Sequence, residues 1–177
     1  CYDSLNQAVW DHSIIKPSDI LNEVNRKVNE TFKHKESVTD GMDIALCCLS
    51  LKNGNAHSLQ FSGAYNPLYL VRNGQLIEKK ADRFSIGGFL EIKDHRFTNH
   101  ETELKKGDMI YIFSDGYQDQ LGGLKNRKFM IGRFKELLLE ISSLSLDKQK
   151  ETLDKTIKKW RGKQEQSDDV LVVGVRV

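Results

Sequence analysis

No stretch of this sequence is long and apolar enough to span a bilayer as a helix, so no membrane contact is expected of its 177 residues. A charge bias is missing too: 27 basic against 25 acidic residues leave a net charge of +2. That excludes the strong basic excess of a nucleic-acid binder and the polyanionic character of a disordered tail. Cysteine is scarce, at three residues, with no Cys-x-x-Cys and no paired histidine spacing, which excludes an ordinary zinc site. Cys47 and Cys48 are adjacent inside an apolar run, which fits reduced core thiols rather than a disulfide framework and points to a cytoplasmic location. Internal repeats, low-complexity tracts and long linkers are all absent. The chain therefore reads as one domain, long enough to bury roughly 70% of its unfolded surface. It begins at Cys1 rather than Met, with no signal peptide, and reads as a piece of something longer.

What is present is a series of apolar runs punctuated by turns. Residues 2–10 read as the end of a helix. Pro17-Ser18-Asp19 opens a second, carried by Ile20, Leu21, Val24, Val28 and Phe32 at helical spacing and expected to end near Lys35. Asp40-Gly41 turns into a strand over 42–51, so continuously apolar that both faces are expected to be covered. Asn53-Gly54 and Asn73-Gly74 are hairpin signals, the first returning through 58–62 and the second joining 68–72 to 75–79. A strand is expected over 95–104, another over 109–113, and a loop over 118–128 with the cationic Lys125, Arg127 and Lys128. Helices over 131–141 and 146–160 precede a closing strand over 170–177. Hairpins in series with helices before and among them predict an antiparallel α+β fold, two sheets with helices outside. Asn66-Pro67 reads as a turn, the cationic loop as solvated, His95 and His100 as surface or satisfied, and Trp10 and Trp160 as helix anchors in the core.

The most informative run is Lys106 to Gly116. Met109 to Phe113 is a buried strand that empties into Ser114-Asp115-Gly116, delivering a carboxylate to a sheet rim on a stiff support, followed by a glycine that tolerates unusual dihedrals. In Gln166-Ser167-Asp168-Asp169 the carboxylates instead precede a β-branched run. If the two strands lie antiparallel, Asp115 and Asp168 or Asp169 converge at one edge, able to share a hard divalent cation. Ser-Asp-Gly is also ordinary turn chemistry, and the aspartate pair also solubilises a turn; the residues alone leave both readings standing.

Five segments then fall into one order: Asp40-Gly41-Met42-Asp43, Ser62 to Leu70, Ser85-Ile86-Gly87-Gly88, Leu104 to Gly116, and Asp168-Asp169 before the last strand. The ordered set resembles the SpoIIE-type serine phosphatase domain, a bacterial branch of the metal-dependent (protein phosphatase 2C) family, over nearly all of residues 1–177. The resemblance implies a β-sandwich flanked by helices, with two Mg²⁺ or Mn²⁺ ions at one edge. It implies that Asp115 and Asp168 are the metal-binding and catalytic carboxylates, with Gly116 and Asp169 supporting them. Asp43 reads either as a strand-start cap or as a third carboxylate at the rim.

There are departures from the family pattern. Relatives carry an aspartate followed by Gly-His-Gly, which bridges the metals; nothing of the kind occurs here. The Asp-Asp-x-Thr pattern reads Asp168-Asp169-Val170-Leu171 and loses its hydroxyl. The expectation is the C-terminal major part of one phosphatase domain, its first strands and upstream sensor or signalling domains lying outside the chain. These residues alone are then expected to be inactive and prone to self-association through an open sheet edge. The implied substrate is phosphoserine or phosphothreonine on a regulatory protein, such as an anti-sigma-factor antagonist. The rival reading is a non-catalytic, partner-binding relative that has lost its metals.

Overall fold

Two Asn-Gly pairs set the hairpins of this fold, seen in a computed structural model that describes residues 2–11, 14–32, 41–88 and 96–177. Backbone φ is 53° and 78° at Asn53-Gly54, and 50° and 73° at Asn73-Gly74, the doubly left-handed geometry of a type I′ turn. The first pair joins β1 (Ile44–Lys52) to β2 (Asn55–Ala64); the second joins β3 (Leu68–Arg72) to β4 (Gln75–Lys79). The chain divides into two compact units. One is built from the residues up to Leu68 and from Lys79–Lys106, closed by Val177; the other comprises Tyr69–Glu78 and Gly107–Arg176.

In the first unit β5 (His100–Glu103) completes a sheet of order β1-β2-β5, antiparallel throughout. Helix α1 (Tyr2–Asn6) runs into a π-helical turn, Gln7–Asp11, and α2 (Pro17–Phe32) starts with proline at its first position, where no N–H is needed. Ile20, Leu21 and Val24 of α2 are buried against Ala8, Ala64 and Ile86. On the same helix Asn22 and Asn25 accept hydrogen bonds from the backbone N–H groups of Phe97 and Gly87, both at 2.9 Å, so the helix also anchors two loops.

β1 corrects one expectation. It is not covered on both faces: it is half-buried as far as Cys48 and exposed from Leu49, and Leu51 is 68% exposed. Among the described residues β1 is the edge of its sheet, and its register against β2 slips between Ser50 and Leu51, where His57 is the extra residue on β2 and pairing then continues to Lys52. The strand expected over 95–104 is shorter, His100–Glu103, and its first expected residue, His95, lies outside the described residues. The side chain of Trp10 and the end of α2 beyond Phe32 lie outside them as well. His100 is satisfied as expected, its ring stacked on Phe61 and its Nε2 2.9 Å from the Lys80 carbonyl. Cys47 and Cys48 are free thiols, and burial, with Cys48 alongside, pushes Cys47 up to about 12.

The second unit holds a four-stranded sheet of order β4-β3-β6-β9, with β6 (Met109–Phe113) central and β9 (Val172–Arg176) at its side. After β6 come α3 (Gly116–Asp119), the two-residue strands β7 (Leu121–Gly122) and β8 (Arg127–Lys128), α4 (Ile131–Ile141) and α5 (Leu146–Arg161). The stretch expected as a loop is thus a short helix and a small hairpin. Four rings pack between sheet and helices: Phe113 meets Phe134 edge-on at 5.0 Å, and Tyr117 stacks on Phe134 at 4.6 Å and meets Phe129 edge-on at 5.4 Å. Asp108, 1% exposed, takes two hydrogen bonds from Arg72, Nε to Oδ1 at 2.8 Å and Nη2 to Oδ2 at 2.6 Å, clamping the end of β3 to the start of β6. No helix among the described residues is long and apolar enough to cross a membrane.

Three phenols lie in this core. Tyr111 donates to Gln149 Oε1 at 2.8 Å and Tyr117 to the Leu153 carbonyl at 2.9 Å, while Tyr69 finds no hydrogen-bond partner for its hydroxyl among the described residues. Burial first, then a carboxylate beside two of them, raises all three above the ordinary tyrosine range. The folded state therefore favours the protonated phenol. This stabilisation is complete below the unfolded pKa of about 10 and is lost as pH climbs from there toward the higher folded values. The urea midpoint is expected to be unaffected by these groups between pH 7 and 9 and to fall steeply above about pH 10. A midpoint that holds to pH 12 would contradict the burial of these hydroxyls.

Candidate metal centre

The buried run Met109–Phe113 pairs antiparallel with β9, Phe113 opposite Val172 and Met109 opposite Arg176. The C-terminal end of β6 therefore meets the N-terminal end of β9. Beyond the regular pairing the two chains stay stitched through Ser114. Its N–H donates to the Leu171 carbonyl at 3.0 Å, and its hydroxyl accepts from the Leu171 N–H at 2.9 Å and donates to the Asp169 carbonyl at 2.7 Å. One side chain thus carries the edge of the sheet two residues further, up to the aspartate pair.

Gly116 closes the approach. A Cβ placed there would lie 2.4 Å from the Asp169 carbonyl oxygen and 3.4 Å from the Asp168 carbonyl carbon. The glycine is needed for this contact, not for an unusual dihedral, since its φ is not positive. The reason the sequence suggested for Gly116, an unusual dihedral, is thus replaced by close backbone approach.

Asp115 stands at the N-cap of α3, where aspartate ordinarily accepts a hydrogen bond from the first turn. Here its side chain makes no such bond, although its backbone carbonyl accepts from the Asp119 N–H at 3.0 Å. Its exposed carboxylate is not used by the helix it precedes. Asp168, also exposed, accepts through Oδ1 from the N–H of Asp169 at 2.6 Å, which sets its side chain in a tight local turn. Asp169 is exposed and works through its backbone carbonyl, held by Ser114. Asp43 belongs to the other unit, just ahead of β1, and its Oδ1 accepts from the Ser85 hydroxyl at 2.6 Å.

The donors fit a hard cation in kind: carboxylate oxygens at a solvent-exposed rim on a stiff sheet. They do not form a complete cage. No group of three His, Cys, Asp or Glu poised to hold a metal occurs among the described residues. Two carboxylates with water filling the remaining positions is the coordination Mg²⁺ accepts.

Solved PP2C-type phosphatase domains share this fold. The SiaA-PP2C domain of Pseudomonas aeruginosa superposes with a TM-score of 0.83 at 26% identity, over 99% of this chain and 66% of that one. The PP2C phosphatase domain and regulatory-domain fragment of the cell fate determinant SpoIIE from Bacillus subtilis gives 0.70 at 18% identity, over 99% of this chain and 48% of that one. The RsbU and RsbW domains of a Mycobacterium tuberculosis protein give 0.69 at 18% identity, over 98% and 45%. The chain thus spans about two thirds of the first relative and about half of the other two. It has the fold of a PP2C-type phosphatase domain. Residues 4–177 match the sequence profile of the Stage II sporulation protein E (SpoIIE) family, and the chain belongs to that family. No curated protein matches it in sequence.

Proposed function

We propose that this chain is the larger part of the catalytic domain of a Mg²⁺- or Mn²⁺-dependent protein phosphatase that hydrolyses phosphoserine or phosphothreonine on a bacterial regulatory protein. The observation that carries the proposal is the state of Asp115. Its carboxylate declines the cap of α3, while Gly116 beside it lies against the backbone carbonyl of Asp169, the residue that follows Asp168. Asp115 and Asp168 hold the cation in this reading. When bound, it neutralises phosphate charge and activates a water for in-line attack at phosphorus.

The chain's own groups do the rest. Ser114 fixes the spacing between the two carboxylate-bearing segments, and Asp169 orients Asp168 through the hydrogen bond its N–H donates. The buried phenols stay protonated, so they pack and donate rather than act as bases. Cys47, its thiol pushed up to about 12 by burial, is no thiolate nucleophile at neutral pH. The chain carries two of the carboxylates and no Gly-His-Gly segment, so activity is expected of the full-length protein rather than of these 177 residues alone. A regulatory partner protein agrees with the solved relative that contains RsbU and RsbW domains together.

The test is hydrolysis of a phosphoserine peptide by the full-length protein. Turnover is expected only with added Mn²⁺ or Mg²⁺, and excess chelator is expected to abolish it. Undiminished turnover in chelator would remove the metal from the account. No turnover with any divalent cation would favour a partner-binding protein.

A further inference from the structure

For a chain of net charge +2, two short segments are conspicuous. Residues 120–133 carry Lys125, Arg127, Lys128 and Arg133, and residues 158–163 carry Lys158, Lys159, Arg161 and Lys163, with no acidic residue in either. Both lie in the second unit, and the fold brings them together. The Gly123 N–H donates to the Trp160 carbonyl at 2.8 Å, and Trp160 Nε1 donates to the Gln120 carbonyl at 3.0 Å. A Cβ at Gly122 would lie 2.0 Å from the Trp160 carbonyl oxygen, so hairpin and helix end are in direct backbone contact. Two cationic segments of the chain therefore meet on one face, where the β7–β8 hairpin touches the C-terminus of α5.

This face is braced and hollow. Phe129 and Met130 donate their N–H groups to the carbonyls of Gln120 and Gln118, at 2.9 and 2.8 Å. Met130 holds a φ of 78°, a conformation costly for a side-chain-bearing residue, and its side chain is 57% exposed. Leu124 at the hairpin tip is fully exposed. Beside them lies a depression of about 790 Å³, lined by Leu124, Lys125, Arg127, Met130, Arg133 and Trp160 among others. Lys128 pairs with Asp119 and Lys158 with Asp154; Lys125, Arg127 and Lys159 make no ion pair among the described residues.

We infer that this face docks an acidic stretch of the phosphoprotein substrate, its cations meeting the acidic side chains and the depression taking an apolar one. The inference rests on the phosphatase reading, and α3 alone separates the hairpin from Asp115. A nucleic acid is the other natural polyanion. Single strands, however, bind through aromatic platforms, and Trp160 offers none: Arg133 sits over its ring at 4.6 Å, Phe129 meets it edge-on, and Gly123 packs close against it.

The test compares the full-length protein with Lys125→Ala/Arg127→Ala/Lys159→Ala, all surface residues outside the carboxylate site. Three substrates are used: p-nitrophenyl phosphate, a phosphoserine peptide with neutral flanks, and the same peptide with Asp and Glu flanks plus one leucine. The triple variant is expected to raise KM for the acidic peptide about tenfold, with kcat unchanged and the other two substrates unaffected. Fluorescence anisotropy with the labelled acidic peptide is expected to show the same loss of affinity, and it reads docking even if no turnover is seen. An unchanged KM and affinity would overturn the inference, as would an equal loss on p-nitrophenyl phosphate. Tighter binding of an RNA oligonucleotide or of anionic vesicles than of the peptide would also overturn it. Loss of p-nitrophenyl phosphate hydrolysis in the unmodified protein would instead contradict the phosphatase reading.

Discussion

Asp115→Asn and Asp168→Asn, each made in the full-length protein, are expected to lower phosphoserine hydrolysis about 10³-fold while leaving the fold intact. Asparagine keeps the shape of aspartate and removes the charge that would hold a cation. Both carboxylates are exposed, so little packing is lost, and Asp115 makes no capping bond whose loss would loosen α3. If the two carboxylates share a site as proposed, their like charges oppose each other without metal, so the melting temperature of either variant in chelator is expected to match or exceed that of the parent. A variant that keeps near-parental turnover would remove that residue from the set of ligands. A variant that melts well below the parent would show that its carboxylate has a structural task.

Gly116→Ala is expected to damage both stability and turnover. The added methyl would lie 2.4 Å from a backbone oxygen, which has no flexible end to swing aside. Relief requires the Asp169 carbonyl to retreat from Gly116, at the expense of the Ser114 hydrogen bonds to Asp169 and Leu171. Overpacking of this kind costs about 1–3 kcal/mol. A displacement on the order of 1 Å between groups that must act together costs about 10²-fold in rate. The informative control is Gly132→Ala in α4, where a Cβ meets nothing within 4 Å, so turnover is expected to be unchanged and stability unchanged or slightly raised. Equal behaviour of the two variants would mean that the approach at Gly116 does not set the distance between the carboxylates.

How much of this was legible in the sequence differs from element to element, for physical reasons. β6 was readable because five bulky residues stand between two turn signals, and the hairpins because Asn-Gly is almost a geometric instruction. The antiparallel pairing of β6 and β9 was only a condition of the sequence reading; once the fold supplies it, carboxylates placed after one run and before the other come to the same edge. β1 was misjudged because an apolar run reports hydrophobicity and not whether another layer packs on each face of the strand. The β7–β8 hairpin was missed because two-residue strands carry no periodicity, and its position depends on contact with Trp160 some forty residues away. Ser114 was read only as part of a turn for a related reason: a hydroxyl whose partner is 55 residues distant leaves no local trace of that bond. The cationic residues were visible singly, as a solvated loop; that they share one face with the end of α5 is a property of the fold.

The central claim is that Asp115 and Asp168 hold the same cation, and direct Mn²⁺ binding tests it without recourse to turnover. Electron paramagnetic resonance counts free Mn²⁺ as it is titrated into the full-length protein, into Asp115→Asn, and into Asp168→Asn. Both substitutions are expected to weaken binding at least tenfold, and Asp43→Asn, whose carboxylate is engaged by Ser85, to leave it within about twofold. Mn²⁺ bound with parental affinity by either Asp115→Asn or Asp168→Asn would contradict the claim.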